Sequence, residues 1–210
     1  RIKKEIGEQS SIGLMATGAF KEERYPALSG GVDWNLAVSG GDLLLEGYLA
    51  GSQVTFSPDL RWSGGAGRVG LAKPSGEHLL AFTTYDFSSN YFSVSNLGFY
   101  SQPREQGGYT EILYKEDRAE DPIRRYSLVY QSTYRWNWEG ANTVQQLEFQ
   151  PSVEFRNFWS FSVDYVHDFP AFDDANRGIN GLYHRPSGEQ LVATLQTDLR
   201  QPAVLALHGG

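Results

Sequence analysis

The chain has 210 residues, which makes one domain the default, and it is rich in Phe (12), Tyr (12), Trp (5) and Gly (23). A formal charge of −7 leaves no basic footprint for nucleic acid, and the absence of Cys excludes a disulfide framework, a zinc–thiolate site and a thiol nucleophile. No stretch approaches the roughly 18 apolar residues of a membrane-crossing helix; the negative mean hydropathy agrees with this but does not exclude a β-barrel, which hides its apolar residues by alternation.

The chain opens Arg1-Ile2-Lys3-Lys4-Glu5, without the apolar region of an export signal. An exported barrel requires such a signal, so either the chain is a mature fragment, which its abrupt start and its end within a strand favour, or a membrane barrel is the wrong reading. Ser11 to Phe20 forms a first predicted strand, and after the polar segment 21–31, Val32, Trp34, Leu36 and Val38 alternate with Asp33, Asn35 and Ala37. Ser39-Gly40-Gly41-Asp42 is a turn into a strand from Leu43 to Phe56. Pro58-Asp59 breaks the chain, a Gly-rich strand runs from Trp62 through Leu71, and Pro74-Ser75-Gly76 turns into a strand from Glu77 to Phe87. The stretch 88–108 is a long break, Tyr109 to Lys115 a short strand, and 116–122 a charged turn.

The clearest alternation follows. Arg125, Ser127, Val129, Gln131, Thr133, Arg135 and Asn137 form one set, and Tyr126, Leu128, Tyr130, Ser132, Tyr134, Trp136 and Trp138 the other. A period of two is a strand with two unlike faces. After a turn at 139–142, Leu147, Phe149, Val153 and Phe155 alternate with Gln146, Glu148, Gln150, Ser152 and Glu154. Arg156-Asn157 leads to a strand in which Trp159, Phe161, Val163 and Tyr165 oppose Ser160, Ser162 and Asp164. A second long break spans 169–187, Leu191 to Gln196 alternates again, and Gln201-Pro202 turns into a last partial strand.

The fold class expected from this pattern is all-β: an antiparallel up-and-down transmembrane barrel with about ten or eleven strands in this chain, part of a larger barrel. The strand at 125–138 exceeds the usual soluble length of about five or six residues, and its aromatics gather towards both ends, as interfacial girdles require. The predicted connections also sort by side: 39–42, 73–77, 116–122, 156–157 and 200–202 are short, whereas the alternate set, 21–31, 57–61, 88–108, 139–142 and 169–187, includes every long break, with 139–142 the tight exception. Short turns on one side and long loops on the other are the layout of an outer-membrane barrel, and a Greek-key sandwich gives no reason for such sorting. On this reading Arg125, Gln131, Arg135, Glu148, Glu154 and Asp164 line the lumen. Tyr126, Leu128, Tyr130, Trp136, Phe149, Phe161 and Val163 face lipid.

Short motifs carry a resemblance. They are Ser11-Ile12-Gly13-Leu14-Met15, Gly31-Val32-Asp33-Trp34-Asn35, Leu45-Glu46-Gly47 with Ala50-Gly51-Ser52, and Ser95-Asn96-Leu97-Gly98-Phe99. To these are added Phe172-Asp173-Asp174 with Arg177-Gly178, and Thr197-Asp198. In these the chain resembles the barrel domain of unknown function that follows a family-9-like carbohydrate-binding module in outer-membrane proteins of Gram-negative bacteria. It departs from that pattern at Ser95 and Asn96, where an acidic residue is usual, and at Ile179-Asn180, where the family tends to continue Gly-Pro. The resemblance implies a barrel in the cell outer membrane, with an upstream module as a partner and no assigned activity.

Catalytic and metal chemistry find little footing. His78, His167, His184 and His208 lack metal-ligand spacing, and Asp168, Asp173 and Asp174 lack the regular spacing of a calcium loop. No Gly-x-Ser-x-Gly elbow is present. The carboxylates Glu148, Glu154 and Asp164 suggest glycoside hydrolysis, yet alternating charges are expected on any lumen wall. Neither a cofactor nor a metal is expected, and no enzymatic activity. Two functions stay open: a porin-like barrel acting as pore, anchor or export partner for an attached carbohydrate-binding module, and a soluble β-sandwich that binds carbohydrate on an aromatic face. Arg61-Trp62 and the Trp-rich hairpin would supply the stacking surface of the second. Detergent dependence separates the two.

Overall fold

A computed structural model of the chain describes residues 1–20, 26–94, 104–178, 181–198, 200 and 206–209. The strands are β1 (Ile2–Ile6), β2 (Ser10–Ala19), β3 (Ala27–Val38), β4 (Leu43–Ser57), β5 (Leu60–Lys73), β6 (Leu79–Ser88) and β7 (Glu105–Glu116). They continue as β8 (Ile123–Asn137), β9 (Asn142–Phe155), β10 (Ser160–Asp168), β11 (Ala171–Gly178), β12 (Gly181–Arg185), β13 (Gly188–Gln196) and β14 (Ala206–Gly209). A single short 3-10 turn, Ser39–Gly41, is the one helical element among the described residues.

The chain is all-β, and its main sheet is antiparallel and up-and-down. Twelve strands pair in the order β1 to β10, then β13 and β14, each beside its neighbour in sequence. Strands β11 and β12 form a separate two-stranded hairpin inside the connection 169–187. Eleven members of the main sheet correspond to expected strands; β1 is an addition. Among the described residues the pairing ends with β1 at one edge and β14 at the other.

By contacts the chain divides into two compact units, one holding 1–72, 83–108 and 135–141, the other 73–82, 109–134 and 142–210. In the first unit the register fixes two unlike faces. Ile12 pairs with Trp34, Leu14 with Val32, Val32 with Leu49, and Leu45 with Leu71, so these apolar residues share one face. Ser11 pairs with Asn35, Asn35 with Glu46, Tyr48 with Arg68, and Ala50 with Ala66, so polar and small residues share the other. On the apolar face Trp34 lies across Gly47, where a Cβ would stand 2.5 Å from its ring. A large ring thus covers backbone that a bare glycine would leave open.

The second unit repeats the division. Phe161 pairs with Val153 and Leu195, Val163 with Ala193, and Tyr165 with Phe149 and Leu191. Ser162 pairs with Ser152 and Thr194, and Val166 with Glu148 and Gln190, on the opposite face.

The apolar faces carry exposed side chains. On the apolar face Leu14 is 58% exposed, Leu49 50%, Leu71 45% and Phe161 41%. On the polar face of the first unit Ser11, Ser52, Val54, Ala66 and Gly70 are buried. Among the described residues the buried hydrophobic side chains are Ala27, Val54, Ala66 and Ala171, none of them large.

Turn chemistry explains where the strands stop. The tight turn after β8 is held by Asn137, whose Oδ1 accepts the backbone N–H of Glu139 at 3.0 Å and of Ala141 at 2.9 Å. Such a side chain imitates a backbone turn, and Gly140 supplies the positive φ of 85° that closes it. This turn is tight although the strands it joins, of 15 and 14 residues, are among the longest.

Candidate functional site

The polar faces of the two units are the candidate site, because ion pairs and side-chain hydrogen bonds gather on each. In the first unit Arg135 stands between two carboxylates. Its Nη2 donates to Asp86 Oδ1 at 2.5 Å, and its Nε donates to Glu105. All three side chains are largely buried, at 18, 19 and 13% exposure, so the trio is an internal ion-pair cluster. Arg68 and Glu46 form a second, more open pair at 3.6 Å on the same face.

In the second unit Gln131 donates to Glu111 at 3.2 Å, and the Tyr109 hydroxyl donates to the same carboxylate at 2.5 Å. Glu148 accepts from Gln150 and lies within hydrogen-bonding reach of Asp164. Nearer the short-turn end, Glu154 takes both Arg124 and Arg125, and Ser127 meets Ser152 hydroxyl to hydroxyl at 2.8 Å. Ser127 with Ser152 places the odd residues of β8 beside the even residues of β9, and Arg124, from the other set, reaches the same Glu154 carboxylate. In the adjoining turn Lys115 beside Asp117, at 2.5 Å, holds that carboxyl below its ordinary range.

Of the residues expected to line a lumen, Arg135 lies in the first unit, and Arg125, Gln131, Glu148, Glu154 and Asp164 lie in the second. They do not form one constellation. Arg135 joins Asp86 and Glu105, Gln131 joins Glu111, Glu148 joins Asp164, and Arg125 joins Glu154. On the opposite face Tyr126, Leu128, Phe149 and Phe161 are exposed, while Tyr130, Trp136 and Val163 are half-buried. Aromatic pairs run along it: Tyr114 with Tyr126 at 6.2 Å between ring centres, and Tyr130 with Phe149 at 5.2 Å.

Asp86, Glu105 and Glu111 are members that the sequence reading did not single out. Asp86 was recoverable, since it alternates with Tyr85 and Phe87 inside a predicted strand. Glu105 was not, because Glu105-Gln106-Gly107-Gly108 carries no apolar alternation, yet β7 begins there. The connection after β6 gives a further correction. Part of it, Ser89 to Val94, does not leave the sheet but turns back over the polar face of the first unit. Ser89 N–H donates to the Gly65 carbonyl at 2.9 Å, and Ser93 N–H donates to Ser52 Oγ at 2.8 Å. Trp62, a candidate stacking platform, is already engaged by Phe56 at 4.8 Å and Tyr91 at 5.8 Å.

Among the described residues no group of three or more His, Asp or Glu is placed to hold a metal ion. Comparisons with protein-family models, with curated proteins and with solved structures found no match. Of the motifs that carry the family resemblance, Ser95–Phe99 lies outside the described residues.

Proposed function

We propose that this chain is a transmembrane β-barrel of a Gram-negative outer membrane whose polar face lines a passage for small solutes. The observation that carries the reading is the inverted burial. In the first unit Leu14, Leu49 and Leu71 on one face are exposed while Ser11, Ser52, Thr84 and Asn137 on the other are buried, and in the second unit Leu128 and Phe161 are exposed. In water an apolar surface of this extent is a liability; in lipid it is the required outer surface. A soluble sandwich would instead bury large apolar residues between two sheets. A transmembrane sheet can leave no edge open to lipid, so the reading requires both edges to be paired.

The connections support it further. In the up-and-down order, 89–104 and 169–187 fall on the same side of the sheet, together with 20–26, 58–59 and 138–141. The other side has 7–9, 39–42, 74–78, 117–122 and 156–159, all short, and the nine-residue span 197–205 between β13 and β14. The long connections then lie outside the cell and the short turns in the periplasm. The family resemblance adds an upstream carbohydrate-binding module carried on the same protein as the partner of the barrel.

The reading assigns no catalytic step. Glu148 lies within hydrogen-bonding reach of Asp164, nearer than the roughly 5–5.5 Å between the carboxyl groups of a retaining glycosidase. Along the same wall Glu111, Glu148 and Asp164 have Gln131, Gln150 and Tyr109 beside them and no cation in those contacts. Acidic wall residues favour cations. The full-length protein in a planar bilayer is therefore expected to give discrete conductance steps with a cation-selective reversal potential. Glu148→Gln with Asp164→Asn should move that potential towards zero. A protein that stays monodisperse without detergent and gives no steps would overturn the membrane reading.

A further inference from the structure

The segment from Ser89 to Val94 is built into the polar face. Ser89 is bonded twice to Gly65, its N–H donating to the carbonyl at 2.9 Å and its Oγ accepting the Gly65 N–H at 3.0 Å. Tyr91 packs on Trp62, and the Phe92 amide then crosses Gly64 so closely that a Cβ there would stand 2.1 Å from its nitrogen. Ser93 N–H is held by Ser52 Oγ at 2.8 Å. Beyond it, Phe92 and Val94 overhang a cavity of about 300 Å³ floored by Met15, Gly31 and Ala50.

The floor is small because the strands place small residues there in register. Gly31 pairs with Ala50, Ala50 with Ala66, and Ser52 with Gly64. Larger side chains at these positions would hold the segment off the wall. The segment is fitted to this wall by backbone and hydroxyl hydrogen bonds and by its close passage over Gly64.

We infer that Phe92 and Val94 determine the selectivity of the passage, as an inward-folded constriction on the polar wall. This rests on the pore reading above. A bulky pair carried inward of the wall narrows the water column and raises the cost of passage for large hydrated solutes. Extracellular placement of the connection does not by itself predict this, because a loop standing clear of the strands would leave the wall open.

The absence of native Cys allows a direct test. Val94→Cys in the full chain is opened in a planar bilayer and treated with a water-soluble methanethiosulfonate reagent, with Glu120→Cys in the exposed turn as control. A stepwise loss of conductance at Val94→Cys and none at Glu120→Cys is the expected result. Unchanged conductance at a Val94→Cys shown by mass to be modified would overturn the constriction while the pore reading stands. Absence of channels in the wild-type protein would overturn both. Should Val94→Cys fail to assemble, Phe92→Ala carries the same test: conductance is expected to rise, and an unchanged value would overturn the inference.

Discussion

Leu128→Arg is expected to block assembly into lipid, and Gln131→Arg to leave it intact. The two positions are three residues apart on β8 and fall on opposite faces. Leu128 is exposed on the apolar face, at 41%, six residues into a strand of 15. An arginine on the lipid side near the midplane costs roughly 2–4 kcal/mol, which at about 1.4 kcal/mol per factor of ten shifts the folded population by about 30-fold or more. At Gln131 the new guanidinium would meet the Glu111 carboxylate that the glutamine already contacts at 3.2 Å. The folded fraction in lipid vesicles, read by heat-modifiable gel mobility, measures both. Equal tolerance of the two substitutions would contradict the assignment of faces.

The second large effect is expected at Arg135. Truncation to methionine leaves Asp86 and Glu105 facing each other, both less than one-fifth exposed, with the cation that joined them gone. Removing one partner of a buried pair costs several kcal/mol; with this residual exposure a loss of about 2–4 kcal/mol in urea unfolding from lipid is expected for Arg135→Met. Adding Asp86→Asn and Glu105→Gln removes the stranded charges and should recover most of that loss. Arg125→Met is the comparison, since Arg125 is 58% exposed against Glu154 and such pairs contribute about 0–1 kcal/mol. A cost at Arg135 no larger than at Arg125 would show that the trio is solvated rather than internal.

Much of this was legible in the sequence, for one physical reason. A strand with unlike solvents on its two faces must alternate, so β8, β9, β10 and the residues that each face presents followed from period two alone. The same rule fails where alternation is absent. Strand β1 has basic Lys3 and Lys4 between Ile2 and Ile6, which masks a five-residue edge strand. Strand β7 begins in Glu105-Gln106-Gly107-Gly108, where glycines erase the apolar signal, and the hairpin of β11 and β12 lies in a stretch whose acids and glycines resemble a loop. The ion-pair partners of Arg135 come from strands some 30 and 49 positions away, a juxtaposition that no local pattern contains. The return of Ser89 to Val94 onto the polar face was written only indirectly, in the small residues of β3, β4 and β5 that make room for it.

The central claim is that the apolar face meets lipid and the polar face meets water. It is tested most directly by scanning single cysteines through β8, residues 125 to 137, in the otherwise Cys-free chain reconstituted in vesicles. Each is spin-labelled, and its collision rate is measured with oxygen, which concentrates in lipid, and with a water-soluble nickel chelate. The account predicts a period of two: labels at Tyr126, Leu128, Tyr130 and Trp136 collide with oxygen, and labels at Arg125, Ser127, Gln131 and Arg135 with nickel. Apolar positions shielded from both reagents would place those residues in a soluble core and contradict the account.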